Sequence, residues 1–201
     1  IAGDAFFAAG VDKLFFTGSI ETGKQLMGKA SATLTPVSLE LGGNDAMVVC
    51  RDANLKRAAA GAAWAGISNC GQSCGGVERI YVVDEVYEEF IRLLKAEISH
   101  LRQGDDTAWD GGPVQTDFGS LTTSGQRETV ERHFAEAMEL GAKESARSHS
   151  GEQLEGGLFH PAVLLEQTDP TMTVMRDETF GPLLAVVKTK TEEEAVRMAN
   201  D

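Results

Sequence analysis

Short apolar runs bounded by glycine or proline alternate along this chain with longer stretches whose apolar residues recur at helical spacing. Residues 4–9 predict the end of a helix, with Gly10 as its C-cap. Lys13-Leu14-Phe15-Phe16-Thr17, set between Gly10 and Gly18, predicts a buried parallel strand. The turn Thr17 to Gly23 opens a helix reaching about Ser31, so strand, small-residue turn and helix make half of a βαβ unit. Pro36 then opens a strand in which Val37, Leu39 and Leu41 alternate with Ser38 and Glu40 until Gly42-Gly43 breaks it. Ala46 to Val49 predicts a further strand. Asp52-Ala53-Asn54 caps a long alanine-rich helix starting near Leu55. That helix feeds a glycine-rich turn, Asn69-Cys70-Gly71-Gln72-Ser73-Cys74-Gly75-Gly76, from which the β-branched strand Arg79 to Val83 departs.

Beyond it, Phe90, Leu93, Leu94 and Ile98 mark an amphipathic helix from Val86 to about Leu101. A second helix starts at Thr123 or Ser124 and reaches about Leu140, before Gly141. Strands are expected at Phe159–Leu165, interrupted early by Pro161, and at Leu183–Lys188. Gly104–Gly112 reads as an acidic loop, and Ser145–Gly157 as an exposed hairpin or loop. Thr191 caps a final helix, still in mid-course at Asp201. No internal repeat interrupts this order. It is that of an α/β fold.

Composition narrows the class. The 201 residues are 42% hydrophobic and 24% charged, a globular balance with length for one or two domains. A net charge of -13 removes the basic footprint that nucleic acid demands and would be repelled by an acidic membrane leaflet. No apolar run approaches the roughly 18 residues of a membrane span. The three cysteines, Cys50, Cys70 and Cys74, are too few for a disulfide scaffold and fit a reducing, cytoplasmic setting. His100, His133, His149 and His160 are scattered, without metal-ligand spacing, and are expected to be structural or exposed. Ile1-Ala2-Gly3-Asp4 has neither initiator Met nor signal-peptide shape, so a segment of a longer protein is expected.

Four places could carry chemistry. Cys74 sits in a tight turn between two regular elements, where a nucleophile can be presented; a buried cysteine acting as a small hydrophobe reads equally well from the octapeptide alone. Glu40 ends a strand, at the edge where open α/β sheets bind ligands, and could be a general base or simply a solvated side chain. The Gly18-Ser19 turn opens a helix whose free N–H groups suit a phosphate, although an ordinary capped helix has the same sequence. Glu178-Thr179-Phe180-Gly181-Pro182 reads in isolation as a turn; its carboxylate could also accept two hydrogen bonds from a ribose diol.

Taken in order, Phe16-Thr17-Gly18-Ser19, Leu39-Glu40-Leu41-Gly42-Gly43, Gly71-Gln72-Ser73-Cys74, Gly157-Leu158-Phe159-His160-Pro161 and Glu178-Thr179-Phe180-Gly181-Pro182 resemble the successive signatures of the aldehyde dehydrogenase superfamily. The resemblance covers essentially the whole chain. It implies a partial Rossmann-type cofactor domain, residues 1–43, joined to an α/β catalytic domain with a mostly parallel sheet, residues 44–201. It implies Cys74 as the nucleophile and Glu40 as the base, in a reaction that oxidises an aldehyde to a carboxylic acid with NAD or NADP. It also implies cofactor contacts at Gly18, Ser19, Gly23, Leu41, Gly42, Glu178 and Phe180. Gln72 would brace the loop, the Cys74 N–H would be an oxyanion donor, and Cys50 and Cys70 would pack in the core. No metal is implied, and the family's partners are small aldehydes and further copies of the same chain, as dimers or tetramers.

Departures from the family pattern qualify this. Asn44 replaces the usual Lys after Glu-Leu-Gly-Gly, and nothing matches the P-W-N segment, the adenosine-ribose Lys or the first Rossmann strands. The isolated chain is therefore expected to be weak or inactive. A CoA-acylating relative and a catalytically silent scaffold are the rival readings, with Glu40 standing against the first. A cysteine hydrolase would need a His to activate the nucleophile, and the Gly71-Gln72-Ser73-Cys74 motif contains none.

Overall fold

The structure, a computed structural model, describes residues 2–105, 111–112, 115–150 and 157–201. The chain divides into two units, residues 1–43 and 44–201.

The first unit begins with helix α1 (Ala2–Ala8), closed by Gly10 at φ +73°, whose N–H donates to the Phe7 carbonyl at 3.1 Å. Strand β1 (Leu14–Gly18), helix α2 (Ile20–Ala30) and strand β2 (Val37–Leu41) follow. The two strands pair in parallel, with Thr17 opposite Glu40 and Gly18 opposite Leu41. Ser19 caps α2, its hydroxyl oxygen accepting the Thr22 N–H at 3.3 Å. Gly23, Leu26 and Ala30 face inward at i, i+3 and i+7, the stripe of an amphipathic helix. The expected strand–turn–helix–strand forms, but β1, expected to be buried, has Phe15, Thr17 and Gly18 exposed.

The second unit is built on a sheet of strand order β3-β4-β9-β8-β6, parallel except for β6. Strand β3 (Asp45–Val49) leads to helix α3 (Leu55–Ile67), capped by the Asn54 side chain, which accepts the Arg57 N–H at 3.2 Å. A 3-10 turn at Ser68–Gly71 precedes strand β4 (Val77–Val83) and helix α4 (Asp84–His100). Strand β5 (Arg102–Gln103), helix α5 (Ser124–Glu139), strand β6 (Lys143–Arg147), strand β7 (His149–Ser150) and strand β8 (Val163–Glu166) come next. Helix α6 (Thr173–Arg176), strand β9 (Leu183–Thr189) and helix α7 (Glu192–Ala199) complete the unit.

Burial explains the unbroken apolar runs of β4 and β9. Ile80 to Val83 and Leu183 to Val187 are all buried, so both faces of the central strands are covered, as parallel sheets require. Arg79 and Tyr81 reach α7, donating to the Ala199 and Met198 carbonyls, while Ile80 and Val82 point to the opposite face by strand alternation. Phe90, Leu94 and Ile98 of α4 are fully buried beside them, which is the expected amphipathic face.

Three expectations change. Residues 145–147, taken for part of a polar loop, belong to β6, and 149–150 pair with β5. The antiparallel edge strand Lys-Glu-Ser-Ala-Arg keeps one side in water and needs no apolar alternation, so its pattern hid it. Residues 151–156 and 106–110, within two expected loops, lie outside the described residues. The strand expected at Phe159 starts only at Val163, since Pro161 cannot donate to a ladder. The last helix, expected to run on through Asp201, ends at Ala199 with Asn200 as its C-cap.

Candidate active site

Three consecutive left-handed residues shape the cysteine loop. Asn69, Cys70 and Gly71 have φ of 55°, 59° and 71°, so the chain reverses sharply upstream of Cys74. Asn tolerates this region and Gly is at ease in it, but Cys70 is held there at a cost. Gly71 is needed twice over. A methyl group in place of its hydrogen would stand 2.2 Å from the Gly181 carbonyl oxygen. Gly71 is thus packed directly on Gly181-Pro182, whereas Gly75 faces open space.

Gln72 pins the turn. Its amide nitrogen donates to the carbonyls of Asn69 (3.0 Å) and Ser120 (3.3 Å), and its oxygen accepts the Thr122 N–H and hydroxyl, both at 2.8 Å. The expected bracing role is visible in full. Downstream, the Gly76 N–H donates to the Ser73 carbonyl at 3.0 Å, closing a tight turn with Cys74 at its tip. Cys74 is exposed, and among the described residues its backbone N–H meets no acceptor. Cys70 is 1% exposed and its thiol is pushed up to about 12 by burial; Cys50, half-buried, is also raised, by burial first and by Glu192 and Asp52 next. A thiol held protonated is a poor nucleophile. Only one of the three cysteines is placed to react.

The loop carrying Glu178 and Phe180 abuts the cysteine loop through the Gly71–Gly181 contact. Phe180 is itself left-handed at φ 50°. Two side chains that the sequence reading did not single out hold this loop. Glu78 on β4 accepts the Thr179 N–H at 2.7 Å and the Phe180 N–H at 2.8 Å. Gln126 on α5 donates to the Thr179 and Phe180 carbonyls at 2.6 and 2.9 Å. His133, buried on the same helix, meets the Thr179 hydroxyl at 3.1 Å. A signal for Glu78 existed, an acid opening an otherwise apolar central strand, but its partners lie about a hundred residues away.

In the first unit, Gly18 and Ser19 are exposed at the turn into α2, and Glu40 is exposed near the end of β2. Gly23 is buried against Leu41, where a methyl group would stand 2.8 Å from Leu41 Cδ2; these two residues hold helix to strand. Gly42 is half-buried directly after β2. Among the described residues no group of three or more His, Cys, Asp or Glu could hold a metal, and no helix is long and apolar enough to cross a membrane.

The donor sets fit a dinucleotide. Ser19 spends its oxygen on Thr22, leaving the first-turn N–H groups of Ile20 and Glu21 without intrahelical acceptors, as a pyrophosphate needs. Glu178 is half-buried on a loop fixed through its neighbours Thr179 and Phe180.

Comparison with known proteins agrees with the resemblance. The aldehyde dehydrogenase family matches over residues 2–201, and the chain belongs to that family. It is 39% identical over 202 residues to the succinate semialdehyde dehydrogenase of Acinetobacter baylyi, covering 99% of this chain and 40% of that protein. It is 40% identical to the 4,4'-diapolycopene aldehyde oxidase of a Methylomonas species, covering 94% of this chain and 34% of that protein. Among solved structures, Escherichia coli lactaldehyde dehydrogenase superposes with a TM-score of 0.86 at 35% identity, over 95% of this chain and 39% of that one. Betaine aldehyde dehydrogenase of Staphylococcus aureus, solved with NAD+, gives 0.85 at 30% identity, over 94% of this chain and 37% of that one. The chain thus spans between a third and two fifths of the length of the curated relatives it matches.

Proposed function

We propose that this chain carries the reaction centre of an NAD(P)+-dependent oxidation of an aldehyde to a carboxylic acid. The observation that carries the reading is Cys74, exposed with an unengaged N–H at the tip of a braced turn, in a chain of this family. The Cys74 thiolate adds to the aldehyde carbon, and the Cys74 N–H receives the oxyanion of the thiohemiacetal. When bound, NAD(P)+ would supply the acceptor for the hydride lost by that carbon. The resulting thioester on Cys74 is hydrolysed by water whose proton Glu40 takes, releasing the acid and the free thiol.

In this reading Gly18 and Ser19, with Gly23 on the helix that follows, serve the turn near the pyrophosphate and nicotinamide of the cofactor, and Leu41 and Gly42 line the nicotinamide pocket. Glu178 takes the ribose diol and Phe180 packs beside the ring. Residues 1–43 are the last part of the cofactor domain and residues 44–201 the catalytic domain. The 201 residues by themselves are expected to turn over slowly or not at all, and the proposal extends to a cytoplasmic homo-oligomer of a chain of the relatives' length.

The test is peptide-mapped alkylation with limiting iodoacetamide near neutral pH, with and without NAD+. Cys74 is expected to react much faster than Cys50 and Cys70, and NAD+ to change the rate at Cys74 alone. Equal rates at all three thiols, or a faster Cys50, would overturn the assignment. Turnover that depends on added CoA would mean that the acyl group leaves Cys74 for the CoA thiol and not for water.

A further inference from the structure

Two consecutive peptide units, those of Thr179 and Phe180, have all four of their backbone polar atoms taken by just two side chains. The N–H groups go to the two carboxylate oxygens of Glu78, one each, and both carbonyls go to the amide nitrogen of Gln126. The two side chains come from different elements, β4 and α5, so the loop is gripped from two sides. The grip also fixes conformation. Phe180 is a bulky residue at φ 50°, which a loop held less firmly would not keep. Gly181 follows, so close to α5 that a methyl group there would stand 2.3 Å from Val130 Cγ2.

Glu78 is an expensive way to hold a loop. It is 3% exposed, and burial, with the nearby Glu178 charge adding to it, pushes its carboxyl up to about 7 against the pull of its two N–H bonds. Only a carboxylate offers one acceptor oxygen to each of two adjacent N–H groups; an amide of the same shape offers one oxygen in all. We propose that Glu78 is a positioning residue, whose carboxylate fixes the Thr179 and Phe180 backbone and thereby sets the presentation of Glu178 and Phe180 to the nicotinamide riboside. This rests on the cofactor reading of Glu178 and Phe180 given above. Glu78 lies four residues beyond Cys74 on the same strand–turn segment, so one short stretch places the thiol and anchors the loop assigned to the cofactor.

The test compares the unmodified chain with Glu78→Gln and Glu178→Gln, each checked for folding by circular dichroism. Hydrogen exchange at the Thr179 and Phe180 amides reads the anchor, and calorimetric titration with NAD+ reads the cofactor. In the unmodified chain both amides are expected to exchange slowly. In Glu78→Gln at least one should lose protection by about tenfold, since one N–H is left without an acceptor. NAD+ affinity should fall by a comparable factor in Glu78→Gln and in Glu178→Gln. Fast exchange of both amides in the unmodified chain overturns the proposal without any variant. So does unchanged protection in Glu78→Gln, or a Glu178→Gln that weakens NAD+ binding while Glu78→Gln does not. If neither variant changes the affinity but Glu78→Gln loosens the amides, the anchor stands and the cofactor reading of Glu178 is what fails.

Discussion

The two units support their chemistry in unlike ways. In residues 1–43, a two-stranded sheet and one helix place Gly18, Ser19 and Glu40 on an open surface. Phe6, Phe15, Ile20, Met27 and Leu34 are all exposed there, Leu34 by 87% and Phe15 by 73%. In residues 44–201, a five-stranded sheet is buried on both faces, and the site loops are tied down by buried polar side chains. Apolar burial is what offsets the entropy of ordering a chain, and two strands cannot bury enough of it. The lesson is that the same catalytic signatures sit on very different foundations. In the second unit a bond network holds the loops, whereas in the first only local pairing and one cap hold the turn.

Hydrogen exchange should show the widest gap. Amides of β1 and β2 are expected to exchange at least about a hundredfold faster than those of β4 and β9. Equal protection in the two units would break the comparison outright. Next in size, Phe90→Ala removes a fully buried ring and is expected to cost about 3–5 kcal/mol, lowering the main melting transition. Leu26→Ala, in the first unit, should leave that transition where it is. Gln72→Ala strips the acceptor from Thr122 and should cost about 1–3 kcal/mol. It should also narrow the difference in alkylation rate between Cys74 and Cys50, because the turn no longer has one shape.

Titration of the second unit gives the smallest effect, with a definite sign. Glu78 is raised in the folded state, so its share of stability is present in full below the ordinary carboxylate range and is lost as pH rises through about 7. Melting of the unmodified chain should therefore gain on Glu78→Gln as pH is lowered from 8 towards 5. His133 and His160 act oppositely. Burial lowers both, so their share is present above the ordinary histidine value and is lost as pH falls through the lowered one. A melting difference that ignores pH would show that Glu78 is solvated, and with it that the second unit is less tightly closed than the first-to-second contrast requires.

Much of this was legible in the sequence because local physics wrote it. Runs such as Leu183 to Val187 are apolar throughout since both faces of a central strand are covered, and Asn54, Thr123 and Thr191 are caps that announce themselves. What stayed hidden depends on distant partners. The need for glycine at position 71 lies in the room it leaves for Gly181, 110 residues further on. Glu78 looked like one acid among many, because its meaning lies in amides 101 and 102 residues further on. Strand β6 was missed for the opposite reason. At an edge, a polar sequence is what a strand should have.

The adjacency of β4 and β9 has a further consequence, for the order in which the protein is made. These neighbours in the sheet are separated in the chain by residues 84–182, 99 of the 158 in the second unit. A ribosome delivers the cysteine turn long before it delivers Gly181 and Pro182, against which that turn is moulded. Sequence-distant pairings of this kind form late, after the cost of closing a long loop has been met. The cysteine turn therefore takes its shape only once Gly181-Pro182 and β9 have emerged, about a hundred residues after Cys74 itself.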